Sequence, residues 1–297
     1  MKRNVIRAVA VISILASHFA AWAQLDTLGV AAITPGKSLA ESIKNSGKTL
    51  SMGRVTESMD GQLLDRFNAT RKFQLVAVSD LKELVKSQER AHSGNYDADD
   101  PNLPQLFKLA GVKFHVITTV DDFQDVTEKA RFSDGGTGLR RNVRLSAVAK
   151  IYETATGKLL ESANFQVTTN SVREDLSIAS RDGELTDELF VSIARDIAGK
   201  IANHVADVVF PAKVLVKRDK QITINRGQGA GIELDQIWNV FAVGEELIDP
   251  DTNESLGREE IPVGKAKIVS IQPKTSTAHI LEDLGIDRGA VLRLPAR

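Results

Sequence analysis

The sequence predicts two folded units, an α/β domain over residues 24–212 and a small all-β barrel over residues 213–297. In the first unit, apolar residues recur with alternating helical and strand periods. Pro211 ends the last helical period, because proline cannot continue a helix. From Val214 onward only short β-like runs separated by turns remain. This change of period near Pro211 predicts the boundary between the units.

The first 23 residues predict a secretory signal peptide. Lys2 and Arg3 precede an apolar stretch over 8–16, and Ala21-Trp22-Ala23 fits the small-x-small rule for cleavage. The uncharged stretch is shorter than the ~20 residues that a spanning helix needs. We therefore expect cleavage after Ala23 and a periplasmic protein that starts at Gln24.

Composition excludes several kinds of site. The chain has 297 residues and no cysteine, so disulfides, zinc-thiolate sites, thiol nucleophiles and acylation of a cysteine are not expected. Without residues 1–23 the chain has 35 basic and 39 acidic residues, and aromatic residues make up only 5%. This composition speaks against nucleic-acid binding, which needs a basic surface or stacking aromatics. After residue 23 we expect no integral membrane span.

Helical and strand patterns alternate in the first unit. Val55, Met59, Leu63 and Phe67 recur at four-residue spacing, which predicts one face of a helix over about 53–69. The polar segments 121–142 and 169–186 are expected as loops, the first with its tip at Asp134–Gly138. The remaining elements expected here are strands over 28–33, 73–78 and 113–120, a strand hairpin over 143–168, short helices after Ser38 and Ser79, a further short helix that includes Leu103, and a long helix from Phe190 to Val208.

Six short runs define the predicted barrel. Turn signals separate them at intervals typical of a small β-barrel or sandwich. The runs are Val214–Val216, Ile222–Ile224, Ile237–Val243, Ile261–Ile271, Thr277–Leu281 and Val291–Leu294.

Three phrases of the first unit resemble a known family. They are LLDRFNATRKFQLVAVSDLKELVKSQ at 63–88, LAGVKFHVITTVDDF at 109–123 and RLSAVAKIYETATGKLLES at 144–162. Their order is similar to the domain shared by the curli secretion channel (CsgG) family and the activators of penicillin-binding proteins. The phrase ITINRGQGAGIELDQIWNVF at 222–241 resembles the C-terminal domain of flagellar assembly protein T. The resemblance implies a CsgG-like α+β sandwich followed by a barrel, and association with the outer membrane.

Function is expected to be binding and not catalysis. The main hypothesis is a periplasmic scaffold or adaptor that binds envelope proteins, chiefly through its first unit and its loops at 91–101 and 130–140. The resemblance adds two alternatives, an oligomeric curli-type export component and a regulator of a cell-wall synthase. The charges of 121–142 and 169–186 speak against lipid-facing hairpins of a pore. Association of several copies stays open.

No residue is assigned as catalytic, cofactor-binding or metal-binding, and no cofactor is expected. Asp249–Asn253 has oxygen ligands at alternate positions, with Glu260 at the twelfth place of a calcium loop. Glu254 stands where that loop needs glycine for its sharp turn, so a hairpin turn is the favoured interpretation.

Other candidates are also interpreted as structural. The glycines of Gly135–Gly138 and Arg226–Gly229 are assigned to loop tips and barrel turns, since neither has the lysine of a phosphate-binding loop. The adjacent acids Asp121-Asp122 and Glu259-Glu260 are expected on opposite faces of strands. The histidines are too far apart in sequence for a local metal pair: His92, His115, His204 and His279.

Overall fold

The computed structural model describes residues 25–46, 49–77, 111–131, 137–173, 187–253 and 255–295. These residues are mostly β-sheet with a few helices, an α+β arrangement built on two sheets. One buried apolar cluster lies between the first sheet and its helices, and a second lies inside the second sheet. The predicted boundary near Pro211 falls between the last helix and the first strand of the second sheet.

The first sheet is mixed and has the strand order β3-β1-β4-β5-β6, with the short β2 paired to β4. Strand β1 runs parallel to β3 and β4, and β4, β5 and β6 are antiparallel neighbours. The elements are β1 (Asp26–Val30), β2 (Thr34–Pro35), α1 (Lys37–Ser46), α2 (Thr49–Thr70), β3 (Phe73–Ala77), β4 (Phe114–Arg131), β5 (Thr137–Glu153), β6 (Leu159–Arg173) and α3 (Asp187–Val209).

The predicted helix faces form the core beneath this sheet. Val55, Met59, Leu63 and Phe67 of α2 are all fully buried, as their four-residue spacing predicts. On α3 the residues spaced by four are equally buried: Ile193, Ile197, Ile201 and Val205. Helices α2 and α3 therefore pack against each other with their apolar faces. The helix expected after Ser79 and the one that includes Leu103 lie outside the described residues.

The loop predicted over 121–142 is wrong for most of its length. Strand β4 continues to Arg131 and β5 begins at Thr137, and the two pair from Phe114↔Glu153 to Arg131↔Thr137. Cross-strand ion pairs explain the difference. Arg141 lies 2.6 Å from Asp125, and Arg144 lies 2.6 Å from Asp122. Opposite charges on facing strands stabilise a hairpin, although in the sequence they look like a loop.

The first residues of the second polar segment also belong to the first sheet. Strand β6 extends to Arg173, so the loop expected over 169–186 is wrong for residues 169–173. Asn170 and Thr169 pair with Asn142 and Val143 of β5 in continuous register. The remainder of that segment lies outside the described residues.

Six strands form the second sheet, and each overlaps one of the six predicted runs. They hydrogen-bond in a closed ring in the order β10-β11-β8-β7-β12-β9. Strands β9 and β10 are longer than the apolar runs, because a tight turn at Asp249–Asn253 joins them as a hairpin. The strands are β7 (Ala212–Arg218), β8 (Gln221–Ile224), β9 (Ile237–Ile248), β10 (Ser255–Ile271), β11 (Ser276–Asp283) and β12 (Val291–Arg293).

Alternate residues of these strands point inward and fill the ring. Val214, Ile222, Ile224, Val240 and Ile268 are almost completely buried there. In the part of the chain described here, none of the helices is long and apolar enough to cross a membrane.

Candidate functional site at the junction of the two sheets

Arg226 follows β8 and inserts its side chain into the first unit. This side chain is 0% exposed, the largest fully buried one among the described residues. Its Nη2 donates hydrogen bonds to the carboxylate of Asp207 and, at 2.8 Å, to the carbonyl oxygen of Phe210. Both acceptors belong to the C-terminal end of α3, where the helix leaves carbonyl groups without partners and carries partial negative charge. Arg226 therefore caps α3 from the barrel side.

The segment after Arg226 packs closely on α2 and α3. Gly229 has φ +82°, and a Cβ atom there would lie 2.9 Å from the Cβ of Ala69. Lys72 donates from Nζ to the carbonyl oxygen of Asn225 at 2.6 Å. Glycine at 229 is therefore required both by the turn and by the close approach of the two units. The sequence prediction explained the glycines of Arg226–Gly229 by barrel turns alone.

A cleft of about 460 Å³ opens beside this contact. Val208 and Leu292 lie on its apolar side together with Trp238, whose indole Nε1 donates to the Gln236 side chain at 3.1 Å. Glu161, His204, Asp207 and Arg293 supply its polar groups, and Leu294 stands at its rim, 46% exposed. The lining comes from β6 and α3 on one side and from β9 and β12 on the other.

The charges of the cleft depend on one another. Burial raises the pKa of the Asp207 carboxyl, and the nearby positive charges of Arg226, Arg293 and His204 oppose that rise. Burial also lowers the pKa of Lys72, and the charge of Arg226 lowers it further. Arg293 is itself paired with Glu260 at 2.7 Å. Positive and negative groups are therefore matched around an apolar floor.

His204 lies on α3 at the edge of the same cleft. Its ring packs edge-on against Phe165, with 5.4 Å between the ring centroids. Its Nε2 atom is buried and has no hydrogen-bond partner within the described ranges. Over those ranges, no group of three or more His, Cys, Asp or Glu residues is arranged to hold a metal ion. The cleft can thus receive an apolar group flanked by polar atoms.

The predicted turn at Asp249–Asn253 is confirmed. The Asp249 carboxylate accepts hydrogen bonds from the backbone N–H groups of Asp251 and Thr252, at 2.8 and 3.2 Å. The N–H of Asn253 donates to the Asp249 carbonyl at 2.9 Å. Glu260 belongs to β10 and pairs with Arg293. The oxygen atoms considered as calcium ligands therefore build a hairpin turn and an ion pair.

The remaining sequence candidates are scattered over the fold. His115 lies on β4, where burial lowers its pKa, and His279 lies on β11. Asp121 accepts from Asn164 and Asp122 from Arg144, so the two neighbours have different partners. Thr137 and Gly138 start β5, while His92, Gly135 and Gly136 lie outside the described residues.

Sequence reasoning missed the Arg226–Asp207 contact and the cleft. An arginine between an apolar strand and a glycine resembles any polar turn residue, and its partner lies 19 positions earlier on another element. The one available signal is Asp207 itself, a carboxylate between the apolar residues Ala206 and Val208 near the end of an amphipathic helix. That signal indicates that the carboxylate is paired, but it does not identify the residue that pairs with it.

No protein-family model and no curated protein matches the chain. Among solved structures, lipoprotein GNA1162 from Neisseria meningitidis is similar over 60% of this chain and 99% of its own, at 13% identity and a TM-score of 0.27. A minor lipoprotein from Acinetobacter baumannii is similar over 62% and 92%, at 11% identity and a TM-score of 0.29. The dodecamer of the L103M variant of PelC from Paraburkholderia phytofirmans is similar over 60% and 86%, at 9% identity and a TM-score of 0.27. These TM-scores support no conclusion about family or activity, so the CsgG-like and flagellar assembly protein T-like assignments stay resemblances.

Proposed function

We propose that this protein is an exported adaptor of the bacterial envelope that acts by binding another envelope protein, and that it is not an enzyme. The observation that carries the proposal is the cleft between the two sheets, which is lined by apolar residues that include a tryptophan and by charged groups of both signs. The partner contributes an apolar side chain on an exposed segment, which enters between Val208 and Leu292.

The composition of the cleft fits a protein partner. Tryptophan and arginine are enriched among the residues that carry most of the binding energy at protein interfaces. Trp238 and Arg293 both line the cleft; the tryptophan is 3% exposed and belongs to the barrel core, whereas the arginine side chain is 40% exposed, and Leu294 offers further exposed apolar surface at the rim. With acids and an arginine on the same rim, recognition depends more on the buried apolar anchor than on long-range attraction. The expected contact loop at 91–101 lies outside the described residues and stays a prediction.

Crosslinking inside the cell tests the proposed cleft. A photoreactive amino acid at Leu294 should capture one envelope protein, identified by mass spectrometry, because this side chain stands at the rim and is 46% exposed. The same amino acid at Leu284, which is 70% exposed and is not part of the cleft lining, is the matched control. Equal recovery from both positions contradicts the cleft as the binding site. Absence of any captured protein, together with turnover of a cell-wall substrate by the purified protein, overturns the adaptor function.

Export is tested separately by the mass of the mature chain. The positive N-terminus, the apolar stretch and Ala21-Trp22-Ala23 support removal of residues 1–23. Protein recovered from the periplasm should therefore begin at Gln24 in intact-mass analysis. A variant with Ala23→Asp places a charge where the cleavage rule needs a small residue and should accumulate uncleaved. Recovery of the wild-type protein at full length in the cytoplasm contradicts export.

A further inference from the structure

The hairpin of β9 and β10 leaves the barrel as a two-stranded ribbon. Strand β12 pairs with β9 only over Asn239–Phe241, and β11 pairs with β10 only from Gly264 onward. Residues 242–248 and 255–261 therefore pair only with each other within the described structure. Nearly every residue of this ribbon is exposed. An isolated two-stranded ribbon is only marginally stable in water. A contact with another surface would therefore stabilise it.

The ribbon combines negative charge with exposed apolar side chains. Residues 245–260 hold seven carboxylates and one arginine, a net charge of −6, while the chain without residues 1–23 carries −4, so its other residues together carry +2. Leu256 is 66% exposed, and Leu247, Ile248 and Ile261 are 45–49% exposed. Exposed apolar side chains grouped within a charged rim mark interaction surfaces. We call residues 243–261 the acidic ribbon.

A surface of opposite charge lies on β7 and the turn that follows it. Residues 213–220 hold four basic residues and one acid, a net charge of +3. Lys217 is paired with Asp283, whereas Lys213, Arg218 and Lys220 are exposed and have no ion-pair partner among the described residues. We call residues 213–220 the basic face.

The basic face also exposes apolar side chains. The pairing of β7 with β8 shifts between Val214 and Val216. As a result two consecutive apolar residues face outward, with Leu215 38% and Val216 43% exposed. In the ring order β10-β11-β8-β7-β12-β9, β7 is three places from β10, and β8 is three places from β9. The strands of the acidic ribbon are therefore not hydrogen-bonded neighbours of those of the basic face, although the ion pair of Lys217 with Asp283 brings the basic face close to Gly264 at the base of the ribbon.

From this placement we propose that the acidic ribbon of one copy docks on the basic face of a second copy. The two surfaces carry opposite net charge, and each has exposed apolar side chains to bury. Two ribbons facing each other would bring two charges of −6 together, which disfavours a symmetric ribbon-to-ribbon contact. A ribbon-to-face contact is head-to-tail, so each added copy leaves one ribbon and one face free for further copies. This self-association is independent of the adaptor function proposed above.

Charge reversal tests the contact in the protein purified with its natural N-terminus. The wild-type protein should form species larger than a dimer as its concentration rises in sedimentation velocity at about 50 mM salt, and these should dissociate at about 500 mM salt because screening weakens attraction between exposed charges. Reversing the basic face with Arg218→Glu and Lys220→Glu should weaken self-association at least about tenfold. Reducing the net charge of the acidic ribbon from −6 to −2 with Glu245→Lys and Glu259→Lys should also weaken self-association, but by less, because the ribbon keeps a small charge opposite to that of the face.

Mixing the two variants provides the decisive measurement. The face variant has a ribbon of net charge −6 and a face of net charge −1, so it should remain monomeric alone. The ribbon variant has a ribbon of −2 and keeps its face of +3, so its own attraction is weakened. In an equimolar mixture the intact ribbon of the first meets the intact face of the second, and the other two surfaces repel, so the mixture should form a heterodimer and no larger species. Lys150→Glu with Lys158→Glu, two exposed lysines of the first unit, is the matched control and should leave association unchanged. Thermal melting of each variant shows whether it is folded. A monomeric wild type at low salt, variants that associate like the wild type, or a mixture that stays monomeric overturns the proposal.

Discussion

Replacing Arg226 with alanine should lower the free energy of unfolding by about 3 kcal/mol, the cost typical of removing one partner of a buried, hydrogen-bonded ion pair. The substitution removes a side chain that is 0% exposed, its bond to the Phe210 carbonyl and its contact with Asp207. The end of α3 then loses its cap, and Asp207 keeps a desolvated carboxylate with weaker compensation. Urea denaturation followed by circular dichroism measures the difference.

Three further variants separate the causes of that loss. Arg226→Met keeps most of the buried volume without the charge and should be less destabilising than alanine, because well-packed apolar replacements of buried ion pairs are often tolerated. Asp207→Asn keeps a hydrogen-bond acceptor but leaves the fully buried Arg226 guanidinium without its counter-ion, so it should be more destabilising than Arg226→Met. Arg293→Ala, at a pair with 40% and 32% exposed side chains, is the exposed control. Equal stability of Arg226→Ala and Arg293→Ala would show that Arg226 is not a structural cap.

The consequence of the Arg226 contact extends to the cleft. Asp207 and Val208 line the cleft and lie within the turn of α3 that Arg226 holds. The same side chain therefore connects the stability of the junction with the shape of the proposed binding site. Because segment 225–231 packs against both α2 and α3, a change at Arg226 also alters how the barrel sits on the first unit.

The elements that could be predicted from sequence are those in which one face is buried along the whole element. Val55, Met59, Leu63 and Phe67 follow the helical period and are all fully buried, so their spacing alone identifies α2. The six apolar runs after Pro211 similarly mark the six strands of the ring. In both cases the pattern depends only on residues within the element. The element can therefore be recognised in the sequence without knowing what packs against it.

The hairpin of β4 and β5 could not be predicted in this way. Its outer half has charged residues whose partners lie on the facing strand, such as Asp125 with Arg141 at 2.6 Å. A sequence shows these charges one after another and gives no sign that they face each other. The Arg226–Asp207 contact and the cleft depend on how the two units pack against each other. No pattern within a single element contains that information. The fold was thus largely predictable, whereas the candidate site was not.

Replacing Gly264 with alanine should also lower the free energy of unfolding by about 3 kcal/mol, at the upper end of the cost of overpacking. Gly264 pairs with Val240 of β9 and with Asp283 of β11, and it has φ +151°. A Cβ atom there would lie 2.1 Å from the carbonyl oxygen of Glu282 and 2.8 Å from Cδ1 of Ile286. Because the first of these atoms belongs to the backbone of a paired strand, it cannot move aside without breaking the ladder that closes the ring. The expected result is early unfolding of the barrel in urea.

Gly257→Ala separates this collision from backbone strain. Gly257 also lies on β10 and has φ +98°, but a Cβ atom there meets nothing within 4 Å. Gly257→Ala should lower the free energy of unfolding by only about 1 kcal/mol, the strain typical of a non-glycine residue at positive φ. The difference in the free energy of unfolding between the two variants then gives the cost of the steric collision between β10 and β11 near the base of the acidic ribbon. If both variants lose the same stability, the collision at Gly264 is relieved by a small shift of β11, and the ring is less rigid at that point than its strand pairing implies.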